Sequence, residues 1–176
     1  KENVEVAILE VSSQAMKLDR VTGCDFDIAL FTNLSEDHIS PKEHKDMDDY
    51  FNAKLSLLKL APNIVVNVDN EWTAKVPSLL PDKHITTFGM KNKADISMKN
   101  IRPSNSSVEF TLVMNGEEND IKVSIPGEYM AYNALGAIAV SSYFDVTVDN
   151  IRKALNPFRV FGRSEMVPNK LGLTIM

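Results

Sequence analysis

Two kinds of hydrophobic periodicity divide the chain. Residues 4–9 and 26–31 are short, nearly continuous apolar runs, the pattern of strands buried on both faces. The first run ends at Glu10, with Ser12 and Ser13 just beyond, and Ser13 predicts the cap of a short helix over 14–20. The second ends in Thr32-Asn33-Leu34-Ser35-Glu36-Asp37-His38, and the polar stretch to Asp46, with Pro41, reads as a loop. Asp46 predicts the N-cap of a helix over 47–60, where Met47, Tyr50, Phe51, Leu55 and Leu58 recur at helical spacing until Pro62. Residues 64–68 predict a third strand, 69–76 a short helix, and 84–88 a fourth strand closed by Gly89.

From residue 96 the period changes to two. Ile96 and Met98 alternate, with Ile101 a further candidate one residue out of step; Val108, Phe110, Leu112 and Met114 alternate clearly, then Ile121, Val123 and Ile125. Asn115-Gly116 between the last two runs is a hairpin signal. The helical period returns over 129–144, Ala-rich, with Leu135 and Ile138 as core candidates. Thr147 predicts the cap of a helix ending near residue 155, Asn156-Pro157 ends it, and Phe161-Gly162-Arg163 leads to a final strand. The fold class is α/β: a mostly parallel sheet flanked by helices, with a small antiparallel three-stranded sheet.

Composition narrows the function. At 176 residues, 44% apolar and 24% charged, the chain is long enough to bury a core as a globular domain. Nineteen basic against twenty-four acidic residues leave a charge of −5, which excludes a bulk basic field for nucleic acid. The single Cys24 excludes an internal disulfide and fits a reducing, cytoplasmic setting. No apolar run has the length of a membrane span, and no heptad run suggests an obligate dimer, so a monomer is expected. Without an initiator Met, and with Leu171 to Met176 reading as a strand just starting, both ends read as cut: the expectation is a fragment of a longer enzyme.

If 4–9 and 26–31 end side by side, Glu10 and His38 share the sheet edge where open α/β sheets bind ligands. Glu10 reads either as a metal-associated acid or as an exposed strand-end carboxylate, and His38 as a metal ligand or a solvated loop residue. His44, in a charged loop, and His84, at a strand start with no visible partner, take the plainer reading. Lys54 falls on the apolar face of 47–60. Its stem ordinarily snorkels to water; the sharper reading is a desolvated, neutral amine that adds carbon dioxide to become a carbamate ligand for Mg²⁺. No Ser-His-Asp or zinc spacing stands out. No G-x-x-x-x-G-K-[ST] occurs, so a nucleotide-hydrolase reading requires a phosphate loop upstream of Lys1.

Together, Glu10-Val11-Ser12-Ser13, Leu18-Asp19-Arg20-Val21, Phe31-Thr32-Asn33-Leu34-Ser35, Asp37-His38 and Asp49-Tyr50-Phe51-Asn52-Ala53-Lys54 form an ordered series. It continues with Val65-Val66-Asn67-Val68-Asp69, Tyr132-Asn133-Ala134-Leu135 and Gly162-Arg163-Ser164-Glu165. The series resembles the ATP-dependent Mur ligases of peptidoglycan synthesis, in the branch that adds the third amino acid to UDP-N-acetylmuramoyl-L-alanyl-D-glutamate. The resemblance implies a central ATP-binding domain over 1–162, lacking its phosphate loop, and the start of a C-terminal ligase domain over 163–176. It implies Glu10 and His38 as Mg²⁺ ligands and Lys54 as the carbamylated lysine supporting a second Mg²⁺. These three would be catalytic. Ser12 and Arg20 would contact the UDP-sugar peptide, and Asn133 and Arg163 would contact ATP. The partners implied are the UDP-N-acetylmuramoyl dipeptide and lysine or diaminopimelate, joined through an acyl phosphate by an enzyme of the bacterial cytoplasm.

Met130 stands where the family often has Asn, Leu18 where related ligases have Gln, and the loop after His38 lacks the usual Asp-Tyr-His run. Folylpolyglutamate and cyanophycin synthetases share the domain and its chemistry. A Mur-like subunit of an amidotransferase complex and a binding module without turnover are the other readings.

Overall fold

The structure, a computed structural model, describes residues 3–158. Arg163, the final strand and the expected domain start at 163–176 lie outside the described residues. Six strands form one sheet in the order β1 to β6: β1 Ile28–Phe31, β2 Asn63–Asn67, β3 His84–Gly89, β4 Ile96–Pro103, β5 Val108–Met114 and β6 Glu117–Val123. Strands β1 to β4 pair in parallel; β4, β5 and β6 pair antiparallel. The α/β class holds, and the antiparallel trio continues the parallel sheet edge to edge through Phe88↔Ile96 and Gly89↔Ser97. Asn115 and Gly116 both take positive φ, 54° and 79°, as the turn between β5 and β6 requires.

The helices are α1 Ser13–Lys17, α2 Met47–Leu60, α3 Val76–Leu79, α4 Glu128–Ser141 and α5 Val148–Leu155. Helices α2 and α4 cover opposite faces of the sheet. Tyr50, Phe51, Leu55 and Leu58 of α2 bury against Ile64 and Val66 of β2, while Val65 points the other way, toward Leu135 and Ile138 of α4. That two-sided burial explains why β2 reads as a continuous apolar run. Helix α2 has the predicted bounds and cap: the Asp46 carboxylate accepts the Asp49 N–H at 2.8 Å. Thr147 caps α5 as expected.

Three local expectations are corrected. Residues 4–9 form no strand, and Val4, Val6, Ile8 and Leu9 are exposed, Ile8 at 96%. Among the described residues no strand offers them a ladder, since edge strand β1 pairs with β2 and nothing else. Glu10 and His38 therefore do not meet through adjoining strand ends. Ser12, not Ser13, caps α1, accepting the Ala15 N–H at 3.1 Å, and the helix stops at Lys17. Residues 69–76 do not begin as helix, because the Asn70 side chain accepts the Trp72 and Thr73 N–H groups and turns the chain first. A 3-10 turn, Thr73–Lys75, then leads into α3.

Candidate functional site

Helix α2 builds one wall of the site. The apolar stripe that buries Tyr50, Phe51, Leu55 and Leu58 carries Lys54 with it, half-buried, its Nζ 5.3 Å from the Tyr50 ring centroid and 5.8 Å from that of Phe31. Beside it is a cavity of about 40 Å³ lined by Ser12, Ser13, Met16, Phe31, Lys54 and Leu58 among others. Burial lowers the Lys54 pKa from its usual 10.5, and the Glu10 carboxylate pulls it back up. Exposed Glu10 thus acts on Lys54 without the strand pairing that was to deliver it.

His38 is held, though half-exposed. Its backbone is left-handed (φ 58°), and its N–H donates to Asp37 Oδ1 at 2.8 Å. Its Nδ1 lies 3.1 Å from Glu43 Oε1, and its ring stands edge-on to Tyr50 at 5.7 Å. The Tyr50 ring therefore touches both His38 and Lys54. Burial first, then the charges of Asp37 and Glu43, raise the Tyr50 pKa.

His44 overturns its plain reading. It is fully buried, with Nε2 2.8 Å from Ser13 Oγ, Nδ1 3.0 Å from Asp49 Oδ2, and its ring 4.8 Å from Tyr50. Lys17 Nζ sits 2.5 Å from the same Asp49 oxygen. The Lys17 hydrogen bond, helped by His44 and the Lys45 N–H and opposed by burial, holds the Asp49 pKa down at about 2. A Ser-His-Asp chain is thus present that spacing did not reveal, since 31 residues separate Ser13 from His44. His84 also has partners: its Nδ1 lies 3.1 Å from Asn63 Oδ1 and 3.3 Å from the Tyr143 hydroxyl.

The residues expected at the nucleotide and substrate are more open. Asn133 is exposed on α4, across the sheet from Lys54, with Nδ2 3.8 Å from Met130 Sδ. Its neighbour Tyr132 donates to Asp69 Oδ2 at 3.0 Å. Asp69 also accepts the N–H groups of Met90 (2.5 Å), Lys91 (3.0 Å) and Asn92 (2.8 Å). Desolvation would raise the Asp69 pKa, but these donors outweigh it and the net shift is downward. Burial and the Asp69 carboxylate push the Tyr132 pKa up. Arg20 and Leu18 are exposed after α1, and Ser12 Oγ accepts from the helix while its O–H stays available to donate. Among the described residues, no group of three or more His, Cys, Asp or Glu is gathered to hold a metal.

Comparison with protein families matches residues 1–141 to the Mur ligase middle domain. A UDP-N-acetylmuramoyl-L-alanyl-D-glutamate–2,6-diaminopimelate ligase of Caldanaerobacter subterraneus subsp. tengcongensis is 37% identical over 167 residues, covering 94% of this chain and 34% of the relative. The chain thus spans about a third of the curated relative's length. A solved structure of a ligase of the same name superposes with TM-score 0.74 at 21% identity, over 85% of this chain and 31% of that one. The apo form of L. casei FPGS superposes with TM-score 0.69 at 18% identity, over 84% of this chain and 37% of that one. At these identities the two structures speak for a shared fold.

Proposed function

The chain belongs to the Mur ligase family through its middle domain, and on that premise we propose that it is the ATP-binding part of an enzyme joining diaminopimelate to UDP-N-acetylmuramoyl-L-alanyl-D-glutamate. The observation that carries the chemistry is Lys54: an amine desolvated on an aromatic wall, beside a small cavity, under the charge of Glu10. A lysine so placed gives up its proton more readily, and its free amine adds to carbon dioxide, forming an N–C bond and releasing a proton. The carbamate then presents oxygens where an ammonium stood.

Glu10, His38 and the Lys54 carbamate fit a hard divalent cation in kind: carboxylate and carbamate oxygens with one imidazole nitrogen. Both His38 ring nitrogens lie near carboxylates, Nδ1 3.1 Å from Glu43 Oε1 and Nε2 3.6 Å from Asp37 Oδ2, and the exposed ring would turn one of them to the cation. Mg²⁺, when bound, neutralises phosphate charge during transfer. Ser12 and Arg20 hold the UDP-sugar peptide; Asn133 and Arg163 hold ATP. The γ-phosphoryl group passes to the terminal carboxylate of the dipeptide and ADP leaves. The amino group of the incoming amino acid attacks the acyl carbon, forming the N–C bond and losing a proton, while the acyl C–O bond breaks and its oxygen and electron pair leave with inorganic phosphate. The central domain runs over 1–162 and the ligase domain begins at 163. The enzyme works as a cytoplasmic monomer; among the described residues no helix is long and apolar enough to cross a membrane.

The test is phosphate release by the full-length enzyme with ATP, Mg²⁺ and the UDP-muramoyl dipeptide, offering meso-diaminopimelate and L-lysine separately. Release that depends on diaminopimelate is expected. Release with L-lysine alone would change the amino acid, and release with a folate substrate alone would move the chain to the folylpolyglutamate branch. Lys54→Ala should abolish turnover, and a Lys54→Ala enzyme at wild-type rate would remove the carbamate.

A further inference from the structure

We propose that His44 is a positioning residue for the ligase reaction, clamping the Ser12-Ser13 turn, the His38 loop and helix α2 into one unit. The inference rests on the function proposed above and extends it to a residue outside the substrate, metal and nucleotide contacts. Three kinds of contact converge on this one side chain and its backbone.

The ring nitrogens tie two helices together. Nε2 meets Ser13 Oγ at 2.8 Å and Nδ1 meets Asp49 Oδ2 at 3.0 Å. Ser13 adjoins Ser12, and Asp49 lies on the helix that carries Lys54. An ionised carboxylate only accepts, so the His44 Nδ1–H donates to Asp49, and Nε2 pairs with the Ser13 hydroxyl. Both hydrogen-bonding edges are spoken for, and the site is buried. The ring face supports Tyr50 at 4.8 Å, the aromatic ring that touches both His38 and Lys54. The backbone closes the His38 loop: the His44 N–H donates to His38 O at 3.2 Å, and the Ser40 N–H to His44 O at 3.0 Å.

Lys17 reinforces the clamp from outside. Its Nζ binds Asp49 Oδ2 and, at 2.8 Å, the Glu43 carbonyl, while the Glu43 carboxylate holds His38 Nδ1. His44 is fully enclosed and its two ring nitrogens are spent on Ser13 and Asp49, so the Ser-His-Asp chain works as a brace between α1 and α2. Groups that orient a metal ligand or a reacting group matter because small displacements cost catalysis heavily.

The test uses the full-length enzyme with Ser13→Ala, His44→Asn and His44→Gln. Asn presents an amide near the Nδ1 position and gives up Ser13; Gln reaches toward the Nε2 position and gives up Asp49. Each variant should lose about 10–100-fold in kcat, with the Mg²⁺ concentration for half-maximal rate raised about threefold or more and KM for ATP nearly unchanged. Adding Ser13→Ala to His44→Asn should cost nothing more, whereas adding it to His44→Gln should cost again. Thermal midpoints give the folded fraction, and Ser13→Ala, the smallest trim, covers the case in which a His44 variant fails to fold. Lower midpoints with wild-type kcat and Mg²⁺ dependence per folded molecule would overturn the proposal and leave His44 a stability residue. A wild-type enzyme inert with the muramoyl dipeptide and either amino acid would refute the function instead. Calorimetric Mg²⁺ binding in the presence of ATP then decides about His44: weaker binding in the variants supports it, and equal binding overturns it.

Discussion

Asp69→Asn isolates the carboxylate that ties the start of α4 to the sheet. The Asp69 oxygens accept three consecutive backbone N–H groups, from Met90, Lys91 and Asn92, and the Tyr132 hydroxyl. The amide has the same shape but one acceptor fewer and no charge. With its NH₂ at the Oδ2 position, the Tyr132 hydroxyl can rotate to accept, but the Met90 N–H cannot and is left facing a donor. An orphaned, half-buried donor costs about 1–2 kcal/mol, and the lost charge assistance on the remaining bonds adds about as much, so the total is about 3 kcal/mol. For a domain of this size that lowers the thermal midpoint by about 6–12 °C, read by circular dichroism. Tyr132→Phe removes a single bond and should cost about 1 kcal/mol, and the double variant should cost less than the sum because the two share an oxygen. The Asp69 pKa is lowered in the fold, so its stabilisation is present above the ordinary value of 3.8 and is lost as pH falls through the folded value. Asp69→Asn should therefore also flatten the acid limb of the stability curve. A midpoint within about 2 °C of wild type would refute the reasoning.

Other consequences follow from single groups. Lys54→Met should remove turnover yet raise stability by up to about 1 kcal/mol in urea titration, because a half-buried charge on an apolar stripe gives way to a thioether. Folded Lys54 releases its proton below the ordinary 10.5, so wild-type stability should rise with pH between the lowered value and 10.5, and Lys54→Met should lose that rise. Asp49, held at about 2, contributes stability that is present above 3.8 and disappears as pH falls toward 2; in Asp49→Asn, acid unfolding curves should lack that component. Gly127 has φ +106° with the Tyr129 ring where a Cβ would go, so Gly127→Ala should destabilise the fold by about 1–3 kcal/mol in the same titration.

What was legible in the sequence is what neighbours along the chain decide. The cap at Asp46, the stripe of α2 and the place of Lys54 on it depend on contacts three or four residues apart, and all are found as read. The Asn115-Gly116 turn and the alternation of β5 are equally local. Residues 4–9 show where local reading stops. A continuous apolar run states that a segment suits a buried strand, but a strand also needs a neighbour to pair with, and none among the described residues supplies one. The joining of the antiparallel trio to β3 was likewise a matter of which edges meet. His44 and Asp69 were beyond the sequence for the same reason. A polar side chain carries no periodic signature, and whether it is solvated or buried depends on partners delivered from afar. Ser13 is 31 residues from His44, and Tyr132 is 63 from Asp69. By itself the chain determined α2 and its cap, the β5–β6 turn and the helix face that desolvates Lys54. Only tertiary packing decided which polar groups would be enclosed together, because burial and partnership are properties of the assembled layers and of no single segment.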